Sequence, residues 1–220
     1  MQDYEELIFD TFVKDAKVIY DIGAFNGRFT NFFANKPGVE QVIAIEPFPA
    51  NFLELTENTK HLTNVKLFNI GLSDKEYTCK TVIRNCRRDE LKYVEDTIVF
   101  KELVNFINEN NLPLPNFQKI DCEGAESRLG KSLLEIYKTG HKMTCCIETH
   151  CQPREDLTDV TPDNPHYQYP DQNGWDLNDF KPYCNIYKHY AHSREYTKLD
   201  ENIDWAPLPG FFGMYVLESK

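Results

Sequence analysis

The stretch Val18-Ile19-Tyr20-Asp21-Ile22-Gly23-Ala24-Phe25-Asn26-Gly27 constrains the fold most. An apolar run carries an acid near its end, and two glycines follow four positions apart. Phe29, Phe32 and Phe33 then recur at i, i+3 and i+4, which is helical spacing. The stretch therefore reads as strand, tight turn and helix. Glycines let the backbone turn sharply and approach a ligand closely, and a helix start presents free N–H groups. Short glycine patterns also occur in ordinary turns, so the rest of the chain has to decide what this one is for.

The same pattern recurs. Val42-Ile43-Ala44-Ile45 ends in Glu46, Val65 to Leu72 leads into Ser73-Asp74, Phe117-Gln118-Lys119-Ile120 ends in Asp121, and Met143 to Ile147 ends in Glu148-Thr149-His150. Helical patterns lie between them, at Phe52, Leu53 and Leu55, at Leu103, Val104 and Ile107, and at Leu129, Leu133, Leu134 and Tyr137. Strands alternating with helices predict an α/β fold with a doubly wound, mostly parallel sheet and helices on both faces. Ahead of it, Asp3 and Glu6 resemble a capping box for a helix carrying Leu7, Ile8, Phe12 and Val13. Thr81-Val82-Ile83 reads as a strand in an excursion that continues into a polar loop. Gly140 reads as a helix stop. Residues 151–174 are rich in Pro, Asp, Asn, Gln and Tyr without periodicity and read as a long loop over the acceptor site. A helix start at Trp175 to Phe180 and strands at Cys184 to Tyr190 and Gly210 to Leu217 close a single domain over residues 1–220.

Charge narrows the partners. Lys and Arg total 24 and Asp and Glu 35, a net charge of −11. That argues against nucleic acid and anionic membrane, where basic surface dominates affinity; Arg84, Arg87 and Arg88 read as a solvated loop. The seven cysteines include no Cys-x-x-Cys pair, so neither a zinc ribbon nor a disulfide framework is indicated. Cys145 and Cys146 read as small hydrophobes in an apolar run. A reducing, cytoplasmic setting is expected, with no signal peptide and no membrane span. A homo-oligomer is compatible with all of this.

Acids mark one strand end after another: Asp21, Glu46, Asp121, Glu123 and Glu148. In a parallel sheet those ends open onto one edge, where ligands bind. A dinucleotide site wants Gly-x-Gly-x-x-Gly to seat a pyrophosphate on a helix start. Here the string is Asp-x-Gly-x-x-x-Gly, and an acid in that place repels phosphate. It suits S-adenosyl-L-methionine, which carries an ammonium and a sulfonium and no phosphate. Glu46 stands where a carboxylate accepts hydrogen bonds from ribose hydroxyls.

The chain resembles the FkbM-type S-adenosylmethionine-dependent methyltransferases. The resemblance rests on Asp21-Ile22-Gly23-Ala24-Phe25-Asn26-Gly27, Ile45-Glu46-Pro47, Asn69-Ile70-Gly71-Leu72-Ser73-Asp74 and, above all, Lys119-Ile120-Asp121-Cys122-Glu123-Gly124-Ala125-Glu126. It covers about residues 17–150. The family's common Asn after Gly-Ala is Phe25 here, and Cys122 replaces an aliphatic residue. The resemblance implies a seven-stranded methyltransferase sheet and methyl transfer to a hydroxyl of a sugar, glycan or small natural product. It implies a cofactor set of Asp21, Gly23, Ala24, Gly27, Glu46, Gly71, Leu72 and Asp121. Of these, Asp21, Gly23 and Gly27 take the methionine end, Glu46 the ribose, and Gly71 and Leu72 the adenine. Asp121 lies between cofactor and acceptor.

The candidates for removing the acceptor proton are Asp121, Glu123, Glu148 and His150, the histidine having a pKa near working pH. Asp121, Glu123, Glu148 and His150 also make a hard O/N donor set for Mg²⁺, Mn²⁺ or Ca²⁺. Glu123, Tyr167, Tyr169 and Trp175 are acceptor candidates, and Tyr183, Tyr187 and Tyr190 add to the aromatic tail. Tyrosine also tolerates half-burial, so the alternative is a self-packed loop. His189 and His192 read as surface residues. Asp163-Asn164-Pro165-His166-Tyr167 resembles the Asn-Pro-Pro-Tyr motif of nucleobase N-methyltransferases, but it lacks the second proline and stands after the wrong strand. A methyltransferase-fold subunit that binds a partner without catalysis is the alternative from another class.

Overall fold

The structure is a computed structural model that describes residues 4–83, 94–122, 125–150, 176–190, 195–202 and 212–220. An eight-stranded sheet forms its centre. Five of its strands run parallel: β1 (Val18–Ile22), β2 (Gln41–Ile45), β3 (Val65–Phe68), β7 (Phe117–Ile120) and β8 (Thr144–His150). Three more complete it: β9 (Cys184–Tyr190), β10 (Tyr196–Lys198) and β11 (Phe212–Ser219). The order is β10-β9-β11-β8-β7-β1-β2-β3, with β11 antiparallel to both its neighbours and β10 antiparallel to β9. Among the described residues the expected seven strands are eight, because Tyr196–Lys198 folds back along the outer edge of β9.

The helices are α1 (Tyr4–Phe12), α2 (Arg28–Ala34), α3 (Pro49–Thr59), α4 (Leu103–Glu109) and α5 (Gly130–Lys138). Successive strand residues serve opposite faces, and the two cores follow that alternation. Ile19, Val42, Cys146 and Val216 join Phe9 of α1 and Phe33 of α2. Tyr20, Ile43, Cys145 and Leu217 join Phe106 of α4 and Leu133 and Tyr137 of α5. Both faces are covered, which is why the central strands are nearly continuous apolar runs. Gly140, with φ +80°, follows α5 and ends it as expected.

The expected strand over 65–72 divides in two. β3 stops at Phe68, and Gly71–Ser73 forms β4, which leaves the main sheet. β4 pairs in parallel with β6 (Val94–Glu102), and β6 pairs with β5 (Tyr77–Ile83) in a separate three-stranded sheet. The excursion expected at Thr81-Val82-Ile83 is β5. From this detour the chain returns through α4 to β7, beside β1. The direction of winding therefore reverses between β1 and β7, and a sheet of this kind opens a crevice at such a point.

Two further expectations change. His189 is 0% exposed, not a surface residue, because β11 and β10 flank its strand. The helix start at 175–180 is one 3₁₀ turn, Leu177–Phe180, capped by the Asp176 side chain. Asp3, Arg84, Arg87, Arg88, Glu123, His192 and residues 151–175 lie outside the described residues.

Candidate functional site

The site is built where β1 gives way to its turn. Gly23 and Ala24 both donate their backbone N–H to the Ile45 carbonyl at 3.0 Å, and Phe25 donates its own to Glu46 Oε2 at 2.9 Å. Three successive amides are thus directed to the end of β2. In a phosphate-binding turn such amides face the ligand; here the neighbouring strand takes them. Gly23 has φ +77°, and a Cβ on it would lie 1.8 Å from the Asp121 carbonyl oxygen. No other residue fits so close to β7. Gly27, with φ +85°, precedes α2, and a Cβ there would meet Leu55 and Thr59 of α3 at 2.9 and 3.0 Å.

Glu46 is 3% exposed. Besides Phe25, it accepts from the Phe48 N–H at 3.0 Å and from Asn51 Nδ2 at 3.3 Å. Burial raises its pKa above the ordinary value; the amides of Phe48 and Phe25, Asn51 and the charge of Lys119 act in the opposite direction. Asn69 fastens this corner: its Nδ2 donates to the carbonyls of Glu46 and Pro47 at 2.8 and 3.1 Å. Asn69 belongs to a motif read in the sequence, yet its task became visible only when β3 was placed beside β2.

Asp21 lies inside β1 with 0% exposure. Its Oδ2 accepts from Thr30 Oγ1 at 2.6 Å. Its Oδ1 has Lys119 Nζ at 3.4 Å, an ion pair that falls short of hydrogen-bond geometry. Lys119 is 3% exposed. Its Nζ donates to the Gly23 carbonyl at 2.8 Å, stands 3.3 Å from Asp121 Oδ2 and lies 5.4 Å from the Phe29 ring centre. Burial alone would lower the lysine's pKa, but Asp121 and Asp21 outweigh it and the net shift is upward, so the ammonium stays charged. Asp121 is the member of this group with an accessible side chain, 24% exposed. Its N–H donates to the Ile22 carbonyl at 3.1 Å, fixing the end of β7 to that of β1. The sequence motifs give Lys119 no role in the site. The available signal was a charge inside an apolar run, two positions from an acid and so on the same strand face.

Beyond Asp121 the chain turns. The Cys122 N–H donates to Glu126 Oε1 at 2.9 Å, which starts the 3₁₀ turn Glu126–Leu129 leading into α5. Gly71 and Leu72 are buried. A Cβ on Gly71 would lie 2.2 Å from the Phe100 ring, and Leu72 belongs to the larger core. β8 continues through Glu148 and His150 because β11 pairs along its whole length, with Glu148 opposite Met214. These residues are therefore within the strand rather than beyond its end.

The structure thus gathers Asp21, Glu46 and Asp121 around Lys119 and the Gly23 turn. Glu123, Tyr167, Tyr169 and Trp175 lie outside the described residues, as does the His150 side chain. Among the described residues no group of three or more His, Cys, Asp or Glu is arranged to hold a metal ion. Tyr187 packs elsewhere, 5.3 Å from Phe12 and 5.7 Å from Tyr196 between ring centres, with its hydroxyl donating to Glu218 at 3.0 Å. No described helix is long and apolar enough to cross a membrane.

These features define a Rossmann-like α/β sheet with Asp21, Glu46 and Asp121 gathered near its switch point. Comparison with solved structures specifies the fold. The chain is similar to a candidate rRNA methylase from Clostridium thermocellum, with a TM-score of 0.54 and 9% identity over 100% of this chain and 97% of that one. It is similar to an O-methyltransferase from Bacillus cereus in complex with S-adenosylhomocysteine (SAH), with a TM-score of 0.53 and 11% identity over 100% and 81%. It is also similar to the O-methyltransferase TomG from Streptomyces achromogenes, involved in tomaymycin synthesis and solved with S-adenosylmethionine (SAM), with a TM-score of 0.51 and 9% identity over 98% and 78%. The fold is that of the methyltransferases. No family model and no curated protein matches the chain.

Proposed function

We propose that this protein is a SAM-dependent methyltransferase that methylates a hydroxyl of a sugar, glycan or small natural product. The observation that carries this reading is the turn after β1. Its amides face the Ile45 carbonyl and Glu46 rather than a phosphate, and carboxylates stand on either side of it. Such a crevice suits a cationic, phosphate-free donor. Glu46 accepts the ribose hydroxyls, Gly23, Ala24 and Gly27 shape the methionine end, and Gly71 and Leu72 back the adenine end. Asp21 serves the donor through Lys119 and the turn. The sheet shared with proteins solved with SAM and SAH supports the donor, and the net charge of −11 weighs against an RNA acceptor.

In the reaction the acceptor oxygen attacks the methyl carbon. A C–O bond forms as the C–S bond breaks, and neutral SAH leaves. The sulfonium already activates the leaving group, so alignment of the acceptor is the large contribution, about 7–11 kcal/mol where geometry is favourable. The acceptor proton passes to Asp121, Glu148 or His150, worth about 10²–10⁴-fold in rate. Glu123, Tyr167, Tyr169 and Trp175, all outside the described residues, are the candidates for holding the acceptor. The thiols of Cys122, Cys145, Cys146 and Cys184 are free, which fits a reducing, cytoplasmic setting.

Titration calorimetry of the full chain with SAM and SAH tests the donor. Saturable binding is expected, and no binding at millimolar ligand overturns the reading. Methyl transfer from labelled SAM to a panel of free sugars, glycans and small alcohols then identifies the acceptor class.

A further inference from the structure

Lys119 adds a side-chain tie between β7 and the turn after β1, beside the backbone hydrogen bond from the Asp121 N–H to the Ile22 carbonyl. It reaches from β7 under the turn of β1, donates to the Gly23 carbonyl and stands between Asp21 and Asp121. Asp21 and Lys119 are partners in the parallel register, so the pair is set side by side by the sheet itself. Asp21 is held from the other side by Thr30. Two carboxylates and one ammonium leave the group with a charge of −1. Its exposed part is Asp121, and the ammonium below is too deeply buried to meet a ligand.

We propose that Lys119 is the positioning residue of the donor site, clamping the Gly23 turn to Asp121 so that turn and carboxylate present one fixed, singly negative surface to a cationic ligand. This rests on the reading of the crevice as a SAM site. Lys119 touches neither donor nor acceptor. Its effect passes through the Gly23 carbonyl, which sets the height of the turn, and through Asp121, whose Oδ2 it holds. The clash a Cβ on Gly23 would make with the Asp121 carbonyl marks how closely the two elements are drawn together there.

The experiment compares wild type with the double variant Asp21→Asn/Lys119→Met. The single variant Lys119→Met strands a buried carboxylate and can fail to fold. The double variant removes one charge of each sign, leaves the site at −1 through Asp121, and keeps an oxygen for Thr30. A lost affinity then reports position rather than charge. Wild-type binding of SAH is measured first, and its absence counts against the SAM reading itself. Given that binding, the double variant is expected to melt near the wild-type temperature yet bind SAH about tenfold or more weakly, as when a charged hydrogen-bond donor is lost. Equal affinity at an unchanged melting temperature overturns the proposal and leaves Lys119 a structural counter-ion to Asp21. A second measurement needs no variant. SAH is expected to slow amide exchange at residues 21–25 and 119–122 of wild type together, and protection confined to 21–25 also overturns it.

Discussion

The backbone N–H of Phe25 donates to Glu46 Oε2 across 2.9 Å, and Phe25 holds φ +50° to do so. Left-handed backbone is uncommon for a bulky side chain, while Asn adopts it readily. Phe rather than Asn at this position is therefore a backbone matter as well as a side-chain one. Phe25→Asn is expected to be more stable than Phe25→Val by about 1–2 kcal/mol, since Val adds β-branching to the same φ. Urea unfolding measures the difference, and equal midpoints would falsify the strain assignment.

Gly23 answers for two constraints, φ +77° and the Asp121 carbonyl. Gly23→Ala is expected to cost at least about 2 kcal/mol and to weaken SAM binding more than about tenfold, because the turn must leave β7. Gly38 supplies the control: its φ is +86° but nothing lies within 4 Å of an added Cβ. Gly38→Ala should lose only about 1 kcal/mol and keep its affinity. Calorimetry of both variants separates backbone strain from the close approach.

Thr30 Oγ1 donates to Asp21 Oδ2 at 2.6 Å in a fully buried setting. Thr30→Val keeps the shape and removes the donor, leaving a charged oxygen without it. A loss of about 2–3 kcal/mol is expected. Thr30→Ser retains the hydroxyl and should stay within about 1 kcal/mol of wild type. If both variants unfold at the same denaturant concentration, the hydrogen bond is not what matters there.

Glu46 gives the site a pH signature. Its native pKa is raised above the ordinary 4.5, first by burial, with the Phe48 and Phe25 amides opposing. The native state therefore takes up this proton at a higher pH than the unfolded chain does. The stability contributed through Glu46 is fully present below 4.5 and falls as pH rises through the raised native value. Ribose hydroxyls donate to the ionised form, so SAM affinity should weaken as pH falls through the same raised value. Glu46→Gln is expected to bind more than about tenfold less tightly at neutral pH, having lost the charged acceptor, and to show no such inflection. Calorimetric affinities measured as pH is lowered from neutrality decide; an inflection that persists in Glu46→Gln belongs to another group.

Local pattern was enough for the turn at Gly23–Gly27, the strands ending near Glu46 and Asp121, the alternating helices and the strand excursion at Thr81–Ile83. Each depends on a short-range rule: period two along a strand, 3.6 along a helix, and glycine where the backbone must turn. Sequence alone could not place Asp21, because an acid near a strand end reads the same whether it faces ligand or core. The parallel register decided it by setting Lys119 beside Asp21 and Thr30 above it. Nor could it show that the amides of Gly23, Ala24 and Phe25 turn toward β2, since that follows from Ile45 and Glu46 arriving at the same edge. A strand's pattern fixes which residues share a face, but charge pairing across strands needs the register, and only the folded sheet supplies it.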